Sequence, residues 1–174
     1  MLSMSPTLHS EENFGIVVHG GAGVMSGLSE KAQQEIHKNI QETISEAYAI
    51  LEGGGSSLDA VEHAVSMLED SPLFNAGRGS VYNSDKVQEM DASIMDGKNR
   101  LTGAIASVSI IKNPIKLARK VAEETTHVLL VGEGAERFAK DVGVEIVDKD
   151  YFHHEERYQR VLNSKKQISK SMQS

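Results

Sequence analysis

The residues able to do chemistry are scattered, and few of them stand at spacings that chemistry requires. His19-Gly20-Gly21 follows the apolar run Ile16-Val17-Val18, and a Gly-rich turn after a strand can offer backbone N–H groups to an oxyanion. Acyl transfer of that kind needs a nucleophile such as the Ser of a Gly-x-Ser-x-Gly turn, and the sequence has no such turn. Asp91 and Asp96 are five residues apart, so on an ideal strand they face opposite sides and make no acid–base pair by spacing. Asp91 reads as a satisfied buried carboxylate flanking a strand, and Asp96, before Gly97, as a turn residue. The seven His include no His-Glu-x-x-His pair. His153-His154 reads as a solvated pair in a charged helical stretch, and His19 and His127 as hydrogen-bonded buried imidazoles at strand ends. No Gly-Lys-Ser/Thr cradles a phosphate, and Gly20-Gly21-Ala22-Gly23 lacks the spacing of a dinucleotide fingerprint.

The loop Ser71-Pro72-Leu73-Phe74-Asn75-Ala76-Gly77-Arg78-Gly79-Ser80 stands apart, with little polarity beyond Asn75 and Arg78. An apolar loop inside a protein must still place its backbone carbonyls. A hard cation accepts carbonyl oxygens without acidic side chains. The plainer alternative is a tight helix-to-strand connector with Phe74 plugged into the core.

The elements that must position these residues follow from period and caps. Gly15-Ile16-Val17-Val18-His19 reads as a short buried strand. Ala32, Ile36, Ile40, Ile44, Tyr48 and Leu51 form a helical stripe ended by Gly53-Gly54-Gly55. Ser56 with Asp59 approximates a capping box for a second helix, stopped by Pro72. Met90, Ala92 and Ile94 alternate with Asp91, Ser93 and Met95, as in a strand with one face less apolar, and 101–111 supplies a second strand, so a hairpin is expected. Asn113-Pro114 reads as an N-cap with Pro at the first helical position. A short strand over 128–131 and a helix over 135–140 follow. The pattern is α/β with largely antiparallel pairing and no run of βαβ units. Residues 1–14 are expected to be a disordered extension, 15–162 the folded unit and 163–174 a flexible tether.

Composition sets the outer bounds. The 174 residues suggest one domain, and 39% hydrophobic residues with 15 Gly give enough apolar material for a core. A net charge of −7 argues against nucleic acid as a partner. No Cys is present, which excludes a disulfide scaffold, Cys-ligated zinc and a Cys nucleophile. No apolar run approaches a membrane span and no signal peptide is evident, so a cytoplasmic protein is expected.

Ile16-Val17-Val18-His19-Gly20-Gly21-Ala22-Gly23, the run from Leu68-Glu69-Asp70 through Asn75-Ala76-Gly77, Glu89-Met90-Asp91-Ala92-Ser93-Ile94-Met95-Asp96-Gly97 and Asn113-Pro114-Ile115-Lys116-Leu117-Ala118-Arg119 together resemble the plant-type L-asparaginases. These are also called isoaspartyl peptidases and belong to the N-terminal nucleophile hydrolases. The motifs occur in the family's order, over roughly 15–147. The resemblance implies the α half of an αββα sandwich, in a precursor that cuts itself at a Gly-Thr bond. The freed Thr heads a separate β subunit, its hydroxyl acting as nucleophile and its own α-amino group as base. L-asparagine and isoaspartyl dipeptides are the implied substrates, and (αβ)2 the implied assembly.

No Gly-Thr pair occurs here, so the chain looks like the α subunit alone, inactive by itself. A truncated, non-catalytic relative of the same fold is the alternative. The loop 68–78 is similar to the family's sodium-binding loop, which implies that the main-chain carbonyls of Leu68, Glu69, Ser71, Phe74, Ala76 and Arg78 surround a structural sodium ion. No cofactor is implied for the chemistry. Asn75 matches a family Asn close to the nucleophile, and Gly20 a glycine in a turn linked to cleavage.

Overall fold

The computed structural model describes residues 14–21 and 27–171, with side chains through 163. The expected extension before Phe14, and Ala22-Gly23 of the Gly-rich turn, lie outside the described residues. Helix α1 (Glu30–Glu52) starts where the Ser29 hydroxyl accepts the Ala32 N–H and ends at Gly53, with Gly54 at φ 81° just beyond. Helix α2 (Ser57–Asp70) carries the capping box read from the sequence, with Ser56 and Asp59 bonded reciprocally. The α1–α2 seam packs Ala47 against Ala60 and Ala64, all buried. Small side chains let the two helices approach closely there. Tyr48, placed in the buried stripe by period alone, is exposed and lies against Phe14.

Strands β1 (Met90–Asp96) and β2 (Leu101–Val108) form the expected antiparallel hairpin. Helix α3 (Pro114–Glu124) then crosses to β3 (Leu129–Val131), which pairs with β2 in parallel. The sheet is therefore mixed, and β2–α3–β3 is a βαβ unit where mainly antiparallel pairing was expected. A crossover helix is what a parallel neighbour needs. Gly103 of β2 lies under α3, where a Cβ would come within 2.1 Å of the Ala118 carbonyl. Helix α4 (Gly132–Asp141) packs on β2 and β3, and Met90, Ile94, Ile105, Val108, Leu117, Val121, Ala135 and Phe152 belong to one core between sheet and helices.

The segment 14–21 corrects a further expectation. Its residues are extended, with Ile16 and Val18 packed against the α1–α2 seam, but they belong to no strand of the sheet. Val17 is 95% exposed. Alternation can show which face is apolar but cannot show what the edges pair with. The open face of the sheet presents Met95, Leu129 and Val131 to solvent.

Helix α5 (Glu155–Ser171) replaces most of the expected tether with regular backbone. Glu155 and Glu156 complement the helix dipole at its start, and Gln159 donates to Glu155 one turn back. Lys and Gln are good helix formers, so the lack of an apolar stripe beyond Leu162 does not forbid a helix. Among the described residues no helix is long and apolar enough to cross a membrane.

Candidate functional site

The 71–80 loop connects α2 to the approach to β1, and its path is set by glycine. Gly77 has φ 47°, and a Cβ there would lie 2.3 Å from the Glu69 carbonyl oxygen. A Cβ at Gly79 would lie 2.0 Å from the carbonyl oxygen of Phe74 and 2.9 Å from that of Pro72. Backbone carbonyls are thus crowded at the positions where side chains are missing. A short 3₁₀ turn over Gly77–Gly79 closes the loop, with the Ala76 and Gly77 carbonyls accepting from Gly79 and Ser80. Phe74 is buried, as the connector reading required, and Gly20 lies against its ring: a Cβ on Gly20 would come 2.9 Å from Phe74 Cε1 and 2.8 Å from Ile40 Cδ1. The loop and the His19-Gly20-Gly21 turn are therefore packed on one another.

Asn75 is exposed, and its Oδ1 accepts the Val81 N–H at 2.9 Å. With the oxygen engaged, the amide NH₂ is the group available to a neighbour. Of the expected carbonyl set, Leu68 accepts from Ser71 N, Ala76 from Gly79 N and Phe74 from an Arg157 guanidinium nitrogen. The side chain of Arg78 lies over the Tyr151 ring.

Glu69 does more with its side chain than the sequence suggested. It is 3% exposed, and its Oε1 accepts the Ile115 N–H at 3.0 Å while Oε2 has no partner among the described residues. Burial pushes its carboxyl up to about 8, a rise that the Ile115 N–H and Asn113 oppose only in part. Asn113 sits at the N-cap position of α3 but makes no cap; its amide donates to Asp70 and to the Ser66 carbonyl. Residue type and position predicted the cap, and a carboxyl from another helix supplies it.

The remaining candidates sort by exposure. Asp91 is exposed, not buried, and accepts the Ser107 N–H; Asp96, on the opposite face, is buried and accepts from Lys98 N and the Asn99 amide, as a turn residue does. His19 is exposed and accepts the Gly21 N–H through Nδ1, and His127 is exposed beside the edge strand β3, so neither is a core imidazole. His153 and His154 are not a free solvated pair: His153 meets Tyr82 and Glu155, and the Nδ1 of His154 is buried. Among the described residues no three His, Asp or Glu converge as a metal cluster. Sequence reasoning missed Gln88, whose buried amide joins Ser80 to the Phe152 carbonyl, and Arg157, because their partners are distant along the chain.

A protein family described as asparaginase matches residues 12–174. The isoaspartyl peptidase/L-asparaginase of Rattus norvegicus is 52% identical over 129 residues, covering 74% of this chain and 38% of that protein. The isoaspartyl peptidase of Escherichia coli is 42% identical over 154 residues, covering 87% of this chain and 48% of that protein. The plant-type L-asparaginase of Thermococcus kodakarensis is 49% identical over 133 residues, covering 76% and 42%. The chain spans less than half the length of these relatives.

Proposed function

The chain belongs to the asparaginase family, and on that footing we propose that it is the α portion of an amidohydrolase acting on L-asparagine and on isoaspartyl dipeptides. The observation that carries this reading is identity of 42–52% to isoaspartyl peptidases and L-asparaginases over most of this chain but less than half of theirs. The nucleophile is a Thr at the head of a β subunit from the same precursor, and two αβ pairs assemble. The Thr hydroxyl attacks the side-chain amide carbon while its α-amino group takes the hydroxyl proton. The C–N bond breaks, ammonia leaves with that proton, and water cleaves the acyl-enzyme to release aspartate. The exposed apolar sheet face of Met95, Leu129 and Val131 is the surface that the second half covers.

The role of this chain is support. Asn75, with its oxygen held by Val81 N, directs its NH₂ toward the nucleophile. Gly20 keeps the turn before it small enough to lie on Phe74. The loop fits a structural sodium ion, because its carbonyls are crowded and no acidic side chain enters it from 71–80. Leu68, Glu69, Ser71, Phe74, Ala76 and Arg78 would hold the ion through main-chain oxygens. Its contribution is to fix the loop, not to take part in the reaction.

The test is intact mass of the full-length protein under denaturing conditions, together with ammonia release from L-asparagine. Two polypeptides, one headed by Thr, with release of ammonia are expected. A single uncleaved polypeptide that releases none would favour the non-catalytic alternative.

A further inference from the structure

Arg157, in the first turn of α5, poses a question that the site leaves open. Its guanidinium is partly buried, yet no carboxylate among the described residues forms an ion pair with it. Arg119 shows the usual arrangement: its guanidinium meets Asp59, Glu62 and Glu123. Taking a cation out of water without an anion is costly unless dipoles replace the lost hydration. Burial and the nearby Arg160 both act against its charge.

The replacement comes from the loop. Arg157 Nη2 donates to the Pro72 carbonyl at 3.2 Å and to the Phe74 carbonyl at 3.5 Å. These are the two carbonyls that crowd Gly79. Neighbouring carbonyl dipoles with their negative ends together repel, and a cation between them relieves that repulsion. The other end of the loop is gripped by the same stretch of chain. Tyr82, next to the Val81 that Asn75 holds, accepts the His154 N–H at 3.3 Å and packs edge-on against Tyr158. The Asn75–Val81 hydrogen bond therefore lies between two attachments to the start of α5.

We propose that Arg157 is a positioning residue: a guanidinium brought in by α5 that clamps the main-chain carbonyls of the 71–80 loop and so fixes the Asn75–Val81 hydrogen bond and the direction of the Asn75 amide. Its effect on turnover rests on the reading of Asn75 given above; the clamp itself does not. Arg suits the task because Nη2 carries two N–H bonds, one for each carbonyl, on a guanidinium that stays charged when partly buried.

Amide hydrogen exchange on the full-length protein tests this, with ammonia release measured in parallel. In Arg157→Gln the Val81 amide should exchange about tenfold faster or more, as expected for a locally opened loop, while Ile105 in β2 stays protected. The same variant should lose kcat with KM little changed, and Arg157→Lys should fall between the two. If only α5 amides exchange faster and Val81 keeps its protection, Arg157 merely anchors its own helix and the clamp is refuted. Should Arg157→Gln fail to fold, Arg157→Lys carries the same comparison. If the parent releases no ammonia, the proposed function fails while Val81 still decides the clamp.

Discussion

The carboxyl of Glu69, at the end of α2, accepts the backbone N–H of Ile115 at 3.0 Å and so caps α3 from 46 residues away. A buried acid in this place is held mainly in its neutral form, at about 8 against an ordinary 4.5. Asp70 adds to the rise, and Lys116 opposes it weakly. The folded state then keeps a proton that the unfolded chain has released, so stability falls as pH rises between about 4.5 and about 8. The slope should approach roughly 1.4 kcal/mol per pH unit in mid-window. Glu69→Gln keeps the acceptor for Ile115 N without the ionisation, and its denaturant midpoints should lose this pH dependence. A parallel pH profile for parent and variant would show that Glu69 does not titrate in this range.

Gly77 should be intolerant of any side chain. At φ 47°, with the Glu69 carbonyl 2.3 Å from an added Cβ, Gly77→Ala combines backbone strain with a clash against main chain. Such a position costs on the order of 1–3 kcal/mol, read as a lowered melting temperature. Gly97→Ala is the control, because nothing lies within 4 Å of its added Cβ. Equal melting temperatures for the two variants would mean that the loop relaxes freely.

Ser107 occupies the left-handed region at φ 56° beside the register shift between Met90 and Ala92. Its N–H donates to Asp91 and its hydroxyl to Glu89, which also accepts from Asn83. Two carboxylates thus hold a conformation that Ser does not favour. Ser107→Ala keeps the strain and loses the hydroxyl bond, whereas Ser107→Gly loses the bond and most of the strain. Chemical denaturation should rank Ser107→Gly above Ser107→Ala by about 1 kcal/mol; the reverse order would place the strain elsewhere.

What the sequence made legible was whatever rests on local repetition or caps. Ser56 and Asp59 announce α2, and Met90 with Ile94 announce β1, because their partners are a few residues away. The parallel pairing of β3 with β2 was hidden, since three residues of strand carry no sign of their neighbour's direction. At the site, the low polarity of 71–80 pointed to a loop whose carbonyls need placing, and the structure crowds those of Glu69, Pro72 and Phe74 against Gly77 and Gly79. Its braces stayed invisible. Glu69 entered only through its main-chain carbonyl, with no sign that its carboxyl caps a helix 46 residues on, and Arg157, 83 residues from Phe74, is one charge among many in a polar stretch. Long-range hydrogen bonds leave no periodic trace.

The open sheet face gives a prediction for the chain by itself. Met95 at 72% exposure and Leu129 and Val131 at just over half form part of an apolar surface. The isolated chain should bind a hydrophobic dye or self-associate, and should not hydrolyse L-asparagine. Supplying the second half should suppress dye binding. A dye-silent monomer that releases ammonia at a normal rate would contradict both the surface and the division of labour.

Asn75 offers the sharpest separation between scaffold and chemistry, because its two amide atoms have different tasks. Oδ1 holds Val81 N, and the NH₂ is the group that the proposed function turns toward the nucleophile. Asn75→Asp retains an acceptor for Val81 N but replaces the donor with a negative oxygen. If the residue is scaffold alone, Asn75→Asp should behave like the parent and only Asn75→Ala should lose stability, by about 1 kcal/mol for one hydrogen bond. If the NH₂ positions the nucleophile, Asn75→Asp should slow self-cleavage and turnover on the order of 10²-fold while the melting temperature holds. A carboxylate near an α-amine also favours its protonated form, so the pH at which the amine becomes an effective base should move upward. The decisive comparison is therefore the pH–rate profile of Asn75→Asp against the parent. Unchanged rates with an unmoved profile would return Asn75 to the loop backbone.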